Sequence, residues 1–279
     1  MISAKSVARV AVLVAMVLGI CSYAALAEVQ YTITGLGTLG GTESTAYDIN
    51  SLGQVVGGAN VASGDEHAFL YTPGSGMTDL GTLGGSLSVA HGINNTGQVV
   101  GWAYAASGHW HAFLYTPGSG MTDLGTLGGG YSWACGINNS EQVVGQASTT
   151  SGNYPAFLYT PGSGMTDLGT LNDFGSVAYS INNVGQVVGG ADTTEVGVED
   201  QLAWLYSDGV MKDLNSLIDP ASGWTLVKAT SINDGGQIVG VGWNGLGQQE
   251  AFLLTPIPEP ATLSLLALGG LLVLRHRRR

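Results

Sequence analysis

Short apolar runs recur along this chain at a fixed distance from one another. A run reading LGTLGG, or a close variant of it, recurs every 44 residues, at Leu36, Leu80, Leu124 and Leu168. A second run, IN followed two residues later by a GQVVG-like stretch, begins five times, at Ile49, Ile93, Ile137, Ile181 and Ile232. Repetition with a period of 20–50 residues is typical of solenoids, propellers and other arrays. The pattern therefore predicts a protein built from five similar units.

Each unit contains four strand-like segments, as the second unit illustrates. These segments are Ser88–Asn94, Gly97–Ala103, His111–Tyr115 and Met121–Thr126. The sequences between them, NNTG, AASGHW and TPGSG, carry the Asn, Gly and Pro residues that form tight turns. Because these turns are short enough for hairpins, the unit is predicted to be a four-stranded antiparallel meander.

The second and third segments of each unit, GQVVG and AFLY, do not alternate apolar with polar residues. A continuous apolar run indicates a strand that is covered on both faces, whereas a sheet with one wet face alternates. Four such strands in about 44 residues are typical of a propeller blade.

The order of the segments favours a closed ring. The chain opens with a lone fourth segment, Tyr31–Thr38, continues through four complete units and ends with a unit that lacks its fourth segment. We therefore predict an all-β fold, a five-bladed β-propeller of four-stranded blades in which the N-terminal strand completes the last blade. A β-solenoid is the alternative, but the phase shift has no evident use in an open solenoid.

The units resemble the HAF repeat of bacterial extracellular proteins. That repeat is named for the His-Ala-Phe triplet, which stands here at His67–Phe69 and His111–Phe113. The resemblance covers nearly all of residues 31–256, and the INxxGQVVG and MTDLGTLGG stretches carry it, although the triplet is changed in the other three units. It implies an extracellular location rather than a particular chemistry.

Residues 1–27 have the three parts of a secretory signal peptide. Lys5 and Arg9 form a basic start, Val10–Ile20 is an apolar core, and Ala25–Ala27 fits a cleavage site before Glu28. We therefore expect export by Sec and a mature domain over residues 28–256. An uncleaved N-terminal anchor is the alternative.

The last residues, 257–279, resemble the PEP-CTERM sorting signal of Gram-negative bacteria. A Pro-Glu-Pro motif precedes an apolar stretch, Ala261–Leu274, which is short for a membrane-spanning helix. The motif and the basic end that follows the apolar stretch are Pro258, Glu259, Pro260, Arg275, Arg277, Arg278 and Arg279. The resemblance implies an exosortase-type protease as partner, a short transmembrane helix that anchors the chain transiently in the inner membrane, and later release or transfer to the surface. A plain C-terminal anchor is the alternative.

Charge and cysteine content argue against a nucleic-acid-binding protein and against a fold held by disulfides. Residues 28–256 contain two lysines, Lys212 and Lys228, no arginine and 19 acidic residues, which gives a formal net charge of −17. Such a domain repels phosphate backbones, so we expect no nucleic-acid partner. Cys21 is removed with the signal peptide, which leaves Cys135 without an intrachain disulfide partner.

The first strand of each unit carries the positions that differ most between copies. One such position forms the candidate ligand ring Tyr47, His91, Cys135, Tyr179 and Thr230, and Trp133 joins it with the same strand parity. Filling of gaps between blades is the alternative role. His91 and Cys135 fall on adjacent blades, but no acid is evident to orient a Cys-His nucleophile. Three tryptophans in or near the loops between the second and third strands could stack on sugars: Trp102, Trp110 and Trp243.

Other repeated polar residues are interpreted as structural. Asp79, Asp123, Asp167 and Asp213 occur once per unit and are expected to accept backbone N–H groups at turns. His67 and His111 lack a third ligand for a metal. The loop over residues 191–200 holds four acidic residues but no EF-hand spacing, so a solvated acidic loop is favoured over a calcium site. The sequence thus predicts no catalytic residue, cofactor or metal site.

These features favour a non-enzymatic exported protein that binds or organises exopolysaccharide at the cell surface. The choice of polysaccharide is an analogy with the sorting system rather than a physical argument. A glycan-active propeller hydrolase is an alternative, but it needs two or three converging carboxylates and the first strands supply only Asp48. A structural or adhesive matrix protein is the third hypothesis.

Both ends are predicted to be absent from the mature protein. Mass spectrometry of surface or secreted material should find a start at Glu28 and no peptide beyond about Pro260. Recovery of the RHRRR end in that material would show a retained anchor instead.

Overall fold

The antiparallel meander predicted for each repeat is present in the computed structural model, which describes residues 31–257 except residue 173 and residues 194–200. The first sheet contains β1 (Gly40–Ile49), β2 (Val55–Val61), β3 (Glu66–Thr72) and β4 (Gly76–Asp79). The second contains β5 (Gly84–Ile93), β6 (Val99–Ala105), β7 (Trp110–Thr116) and β8 (Gly120–Asp123). The third contains β9 (Gly128–Ile137), β10 (Val143–Thr149), β11 (Ala156–Thr160) and β12 (Gly164–Gly169).

The fourth and fifth sheets continue the series. The fourth contains β13 (Ser176–Ile181), β14 (Val187–Asp192), β15 (Gln201–Ser207) and β16 (Val210–Asp213), and the fifth contains β17 (Thr225–Ile232), β18 (Ile238–Trp243) and β19 (Gln249–Leu254). Single 3-10 turns, Leu214–Leu217 and Pro220–Ser222, connect them. In every sheet the strands pair in chain order, so the five sheets correspond to the five repeats. All five lie in one compact unit that begins at Leu36.

The hydrophobic core lies between consecutive sheets. Val99 packs in a cluster shared with the first sheet, and its neighbour Val100 packs in a cluster shared with the third. Adjacent strand residues point to opposite faces, so the valine pair serves both interfaces. Both residues are fully buried, which confirms that the continuous apolar runs are covered on both faces.

The glycine that follows the valine pair is required by a close backbone approach. A Cβ atom on Gly101 would collide with the carbonyl oxygen of Val89 on β5, and Gly145 stands in the same relation to Trp133. Glycine alone lets these strands approach so closely. This steric limit explains why every repeat carries glycine at this position.

An asparagine at the end of each first strand links neighbouring sheets. The Asn94 side chain accepts a hydrogen bond from the backbone N–H of Gln98, at 3.0 Å, which closes its own turn as predicted. Its Nδ2 also donates to the carbonyl oxygen of Asn138 in the next sheet, at 3.1 Å. Equivalent bonds run from the Nδ2 groups of Asn50, Asn138 and Asn182 to the carbonyl oxygen of the corresponding asparagine in the next sheet. The turn residues therefore also form a ladder between sheets.

The predicted closing strand is not formed. No strand is assigned to residues 31–38, and Tyr31 and Ile33 are 88% and 99% exposed. Over the described ranges, the fifth sheet has three strands instead of four. Within the part of the chain that the structure describes, four hydrophobic clusters join consecutive sheets, and none of them joins the first sheet to the fifth. The predicted closing strand Tyr31–Thr38 is thus wrong for this structure, because the segment forms no strand and its end is hydrogen-bonded to the first sheet instead, Thr38 to Gly41 and Gly37 to Ser44.

Two valines at the same repeat position test how much the inter-sheet burial stabilises the fold. Val144 is fully buried between the third and fourth sheets, whereas Val239 is 42% exposed on the outer face of the fifth. Val144→Ala should lower the free energy of unfolding by about 1–3 kcal/mol through lost burial and a small cavity. Val239→Ala makes the same change in strand propensity as Val144→Ala, but it removes little buried surface. It should therefore lower the free energy of unfolding much less. The measurement is a denaturant titration of both variants at low protein concentration. Equal losses in the free energy of unfolding would show that burial between sheets does not stabilise the fold as described.

Candidate functional site

A pocket opens between the second and third sheets. It encloses about 390 Å³, and its lining residues are His91, Trp102, Tyr104, Trp110 and Trp133. Pockets of this size are in the range that holds small ligands. Four of the five lining side chains are aromatic rings of tryptophan or tyrosine, so the pocket offers flat apolar surfaces with few polar groups.

The β6–β7 hairpin positions three of these rings. Its register pairs Tyr104 with Trp110, while Trp102 lies two residues before Tyr104 on the same face. Val100, on that face too, packs toward the third sheet. The ring centroid of Tyr104 lies 6.1 Å from that of Trp102 and 5.9 Å from that of Trp110, both edge to face. This arrangement is favourable for aromatic pairs and holds the rings in place.

The third sheet supplies the facing wall. Trp133 lies on β9, and Tyr131, two residues earlier on the same strand, contacts Trp110 with 4.4 Å between ring centroids. His109 packs against the other side of this group, with its ring centroid 4.9 Å from that of Tyr131. Aromatic contacts therefore bridge the two sheets beside the pocket.

The pocket depends on residues that only the second and third repeats carry. At the position of Trp102, the other repeats have Gly58, Gln146, Gly190 and Val241. At the position of Trp133, they have Thr45, Val89, Val177 and Lys228. The backbone register is the same in the first repeat, where Gly58 pairs with Ala68 as Trp102 pairs with Ala112. A shared frame thus carries a local set of large side chains.

The candidate ligand ring is divided between two groups. His91 and Trp133 line the pocket, and Tyr47 on β1 contacts His91 with 5.3 Å between ring centroids. Tyr179 instead lies under the Lys228 ammonium, whose Nζ is 4.2 Å from the ring centroid. Thr230 donates its hydroxyl to the carbonyl oxygen of Val239 at 3.3 Å. Recognition of a ligand by the whole ring stays a prediction.

Sequence reasoning identified part of the pocket and missed part of it. Trp102 and Trp110 were expected to offer stacking surfaces and do line the pocket, whereas Trp243 is on β18 of the fifth sheet. Tyr104 and Tyr131 were not singled out. The signal available for them was parity, since each lies two residues from a tryptophan on its own strand.

The Cys-His pair considered from the sequence lacks an activated nucleophile. Burial raises the pKa of Cys135 from its ordinary 9.0 to about 12, and the nearby Lys228 charge and a hydrogen bond with Trp133 oppose this less strongly. Burial also lowers the pKa of His91 below its ordinary value. At neutral pH the thiol is therefore protonated and the imidazole neutral, whereas a cysteine nucleophile reacts as the thiolate.

The carboxylates make structural bonds. Asp48 accepts backbone N–H groups from Ile49 at 2.8 Å and from Ile93 in the next sheet at 2.9 Å, so it ties the first two sheets together. The recurring aspartates accept the backbone N–H of the residue two positions later, as Gly81 shows with Asp79 at 2.7 Å, which confirms the predicted turn role.

The two repeat histidines lie apart, each with its own aspartate. His67 contacts Asp79 at 2.9 Å, and His111 contacts Asp123 at 2.7 Å. Among the residues of known placement, no group of three or more His, Cys, Asp or Glu side chains could hold a metal. Residues 194–200 of the acidic loop lie outside the described residues, so the calcium question there stays a prediction.

Comparisons with known proteins identify the sorting tail, but they assign no function to the repeats. Residues 256–279 match the PEP-CTERM protein-sorting motif, and residues 128–252 match DUF3466, a protein family of unknown function. No curated protein matches the chain. Two crystal structures of AofleA from Arthrobotrys oligospora, one of them a triple arginine-to-alanine mutant, are similar at 13% identity and a TM-score of 0.42, over 78% of this chain and 70% of theirs.

The sorting motif marks an exported protein that is processed by exosortase and destined for the cell surface or the extracellular space. The predicted transmembrane segment, residues 261–274, lies outside the described residues. Within those that are described, no helix is long and apolar enough to cross a bilayer. The resemblance to the HAF repeat stays a prediction.

The raised pKa of Cys135 has a measurable consequence. At pH 8 a thiol of pKa about 12 has about a thousandfold less thiolate than one at its ordinary 9.0, so iodoacetamide should label the native protein very slowly. Labelling should accelerate as the pH rises toward 12, because the thiol then ionises. The control is the same protein in guanidinium chloride, which should react at the ordinary rate. Equally fast labelling of native protein at pH 8 would show that Cys135 is accessible and ionised.

Proposed function

We propose that this protein is a non-enzymatic surface protein that binds extracellular polysaccharide through the aromatic pocket between its second and third sheets. The observation that carries the proposal is the pocket itself, whose walls are His91, Trp102, Tyr104, Trp110 and Trp133. The sorting motif indicates export, and an exported pocket meets the polysaccharide outside the cell.

The chemistry of the lining suits sugar rings. A pyranose presents C–H groups on its faces, which pack against aromatic rings, and hydroxyls at its edges. The indole N–H and phenol O–H groups supply hydrogen bonds at the rim of such a stack. His91, kept neutral by its lowered pKa, has one donor and one acceptor nitrogen for hydroxyl groups.

Charge favours an uncharged glycan over an acidic one. Residues 28–256 have a net charge of −17 and contain no arginine, the residue best suited to clamp carboxylates or sulfates. Lys228, one of the two lysines, already lies over Tyr179. Repulsion therefore opposes approach of a polyanion, while a neutral polysaccharide is unaffected.

The arrangement of acids supports binding rather than hydrolysis. A glycosidase needs two carboxyl groups on either side of the scissile bond. Asp48 has both oxygens engaged by backbone N–H groups, and the described residues that line the pocket include no carboxylate. Protonated Cys135 supplies no nucleophile. We therefore propose a binding module, with inner-membrane anchoring by the tail as a transient step before surface display.

Two tryptophan variants test the pocket. Trp133→Ala should weaken binding of a neutral glucan by about tenfold or more, roughly 1.5 kcal/mol, because a stacking wall is removed. Trp243→Ala is the matched control, since that side chain is on the fifth sheet. The measurement is calorimetric titration of the purified domain with a neutral glucan and with an acidic polysaccharide, alongside an assay for reducing ends.

Three results would count against the proposal: no binding to any neutral polysaccharide, an equal loss with Trp243→Ala, or release of reducing ends. The last would favour the hydrolase hypothesis. Melting curves of both variants show whether a loss of binding reflects unfolding.

A further inference from the structure

The same positions are buried at each of the four interfaces between consecutive sheets. On the face toward the following sheet, the second valine of the pair is fully buried in the first four sheets, at Val56, Val100, Val144 and Val188. In the fifth sheet its equivalent, Val239, is 42% exposed, and Leu253 on the next strand is 62% exposed. The fifth sheet thus exposes on its outer face the apolar surface that each of the other four sheets buries against the sheet that follows it.

The first sheet presents the opposite half of the same interface. Its residue Ile49 is 64% exposed, whereas the equivalents in later sheets, Ile93, Ile181 and Ile232, are buried. Ala46 is exposed as well, although Ala90, at the same position in the second sheet, is fully buried. The two end faces of the series are therefore complementary in kind.

The asparagine ladder ends in the same way. The Asn233 side chain accepts the backbone N–H of Gln237 at Oδ1 and donates from Nδ2 to Gln237 Oε1, both at 2.9 Å, but its Nδ2 reaches no further asparagine carbonyl among the residues described. At the other end, the carbonyl oxygen of Asn50 accepts only the N–H of Gly53 from the described residues, whereas that of Asn94 also accepts Nδ2 of Asn50. One end of the ladder has a spare donor and the other a spare acceptor.

We propose that copies of this protein associate head to tail, with the outer face of the fifth sheet packed on the outer face of the first sheet of the next copy. This contact repeats the interface that the chain already makes four times within itself. The occupant is a second copy because none of the described hydrophobic clusters joins the two end faces of one chain. A contact between two different faces leaves one of each face free after every addition, so it builds chains of copies that stay open or close into a ring of several copies.

The ladder supplies the positions for a crosslinking test. The backbone N–H of Ser51 donates to Asn95 of the next sheet at 3.0 Å, and that of Asn183 donates to Asp234 at 2.8 Å. Since this turn position touches its equivalent in the following sheet, residue 234 of one copy should lie beside residue 51 of the next. Ser51→Cys and Asp234→Cys variants, one carrying a size tag, are purified separately, mixed and oxidised. Each single variant oxidised alone is the control and reports any contribution from Cys135.

The mixture should give a disulfide-linked heterodimer well above the level of either control, and a double variant should give a ladder of multimers. Ring closure within one chain would instead give a double variant that forms an internal disulfide and migrates as a compact monomer. That result, or no crosslink in the mixture, would overturn the proposal.

A second measurement uses the exposed face directly. Val239→Lys places a charge on the outer face of the fifth sheet, and Val210→Lys, at a 51% exposed position on β16, is the matched control. Analytical ultracentrifugation should show concentration-dependent association of the unchanged protein and of Val210→Lys, but not of Val239→Lys. Binding of a short neutral glucan oligosaccharide, which occupies one pocket at a time, should be unchanged in Val239→Lys, so failure of the association and failure of the proposed function are distinguishable. A monomer at all concentrations in the unchanged protein would refute the head-to-tail contact.

Discussion

Each internal sheet of this protein buries apolar side chains on both of its faces, and the rest of the structure depends on that constraint. Val99 packs toward the preceding sheet and Val100 toward the following one, so a sheet without neighbours would expose both of them. Gly101 lets the strands approach closely, and Asn94 fixes the spacing to the next sheet. As in other repeat arrays, stability then comes from interfaces between units as much as from the units themselves.

A frame repeated this faithfully leaves few positions free to differ, and the pocket is built from those positions. Trp102 occupies a place that is glycine in the first and fourth repeats, with the same backbone pairing as in the first. Trp110 and Tyr131 then meet across the two sheets. Large side chains could be added there because strand pairing depends on backbone groups, which these substitutions leave unchanged.

The proposed binding and the proposed assembly use different parts of the molecule. The pocket lies between the second and third sheets, whereas the uncovered faces belong to the first and the fifth. A chain of copies would therefore keep one pocket per copy. Several weak sites on one polymer bind a repeating polysaccharide far more tightly than a single site does, because the later contacts form within an assembly that is already attached. This links the proposed binding role to the matrix role considered from the sequence.

The sequence by itself determined the five repeats, their antiparallel strands, the burial of Val99 and the turn role of Asn94, because these follow from periodicity and from contacts close in the chain. Only the tertiary structure decided what the sheets do to one another. It formed no strand at 31–38, turned the asparagines into a ladder, brought Tyr104 to the pocket wall and placed Tyr131 against Trp110 beside it. These outcomes depend on how one sheet is placed against the next, and sequence spacing carries no measure of the distance between side chains on different sheets.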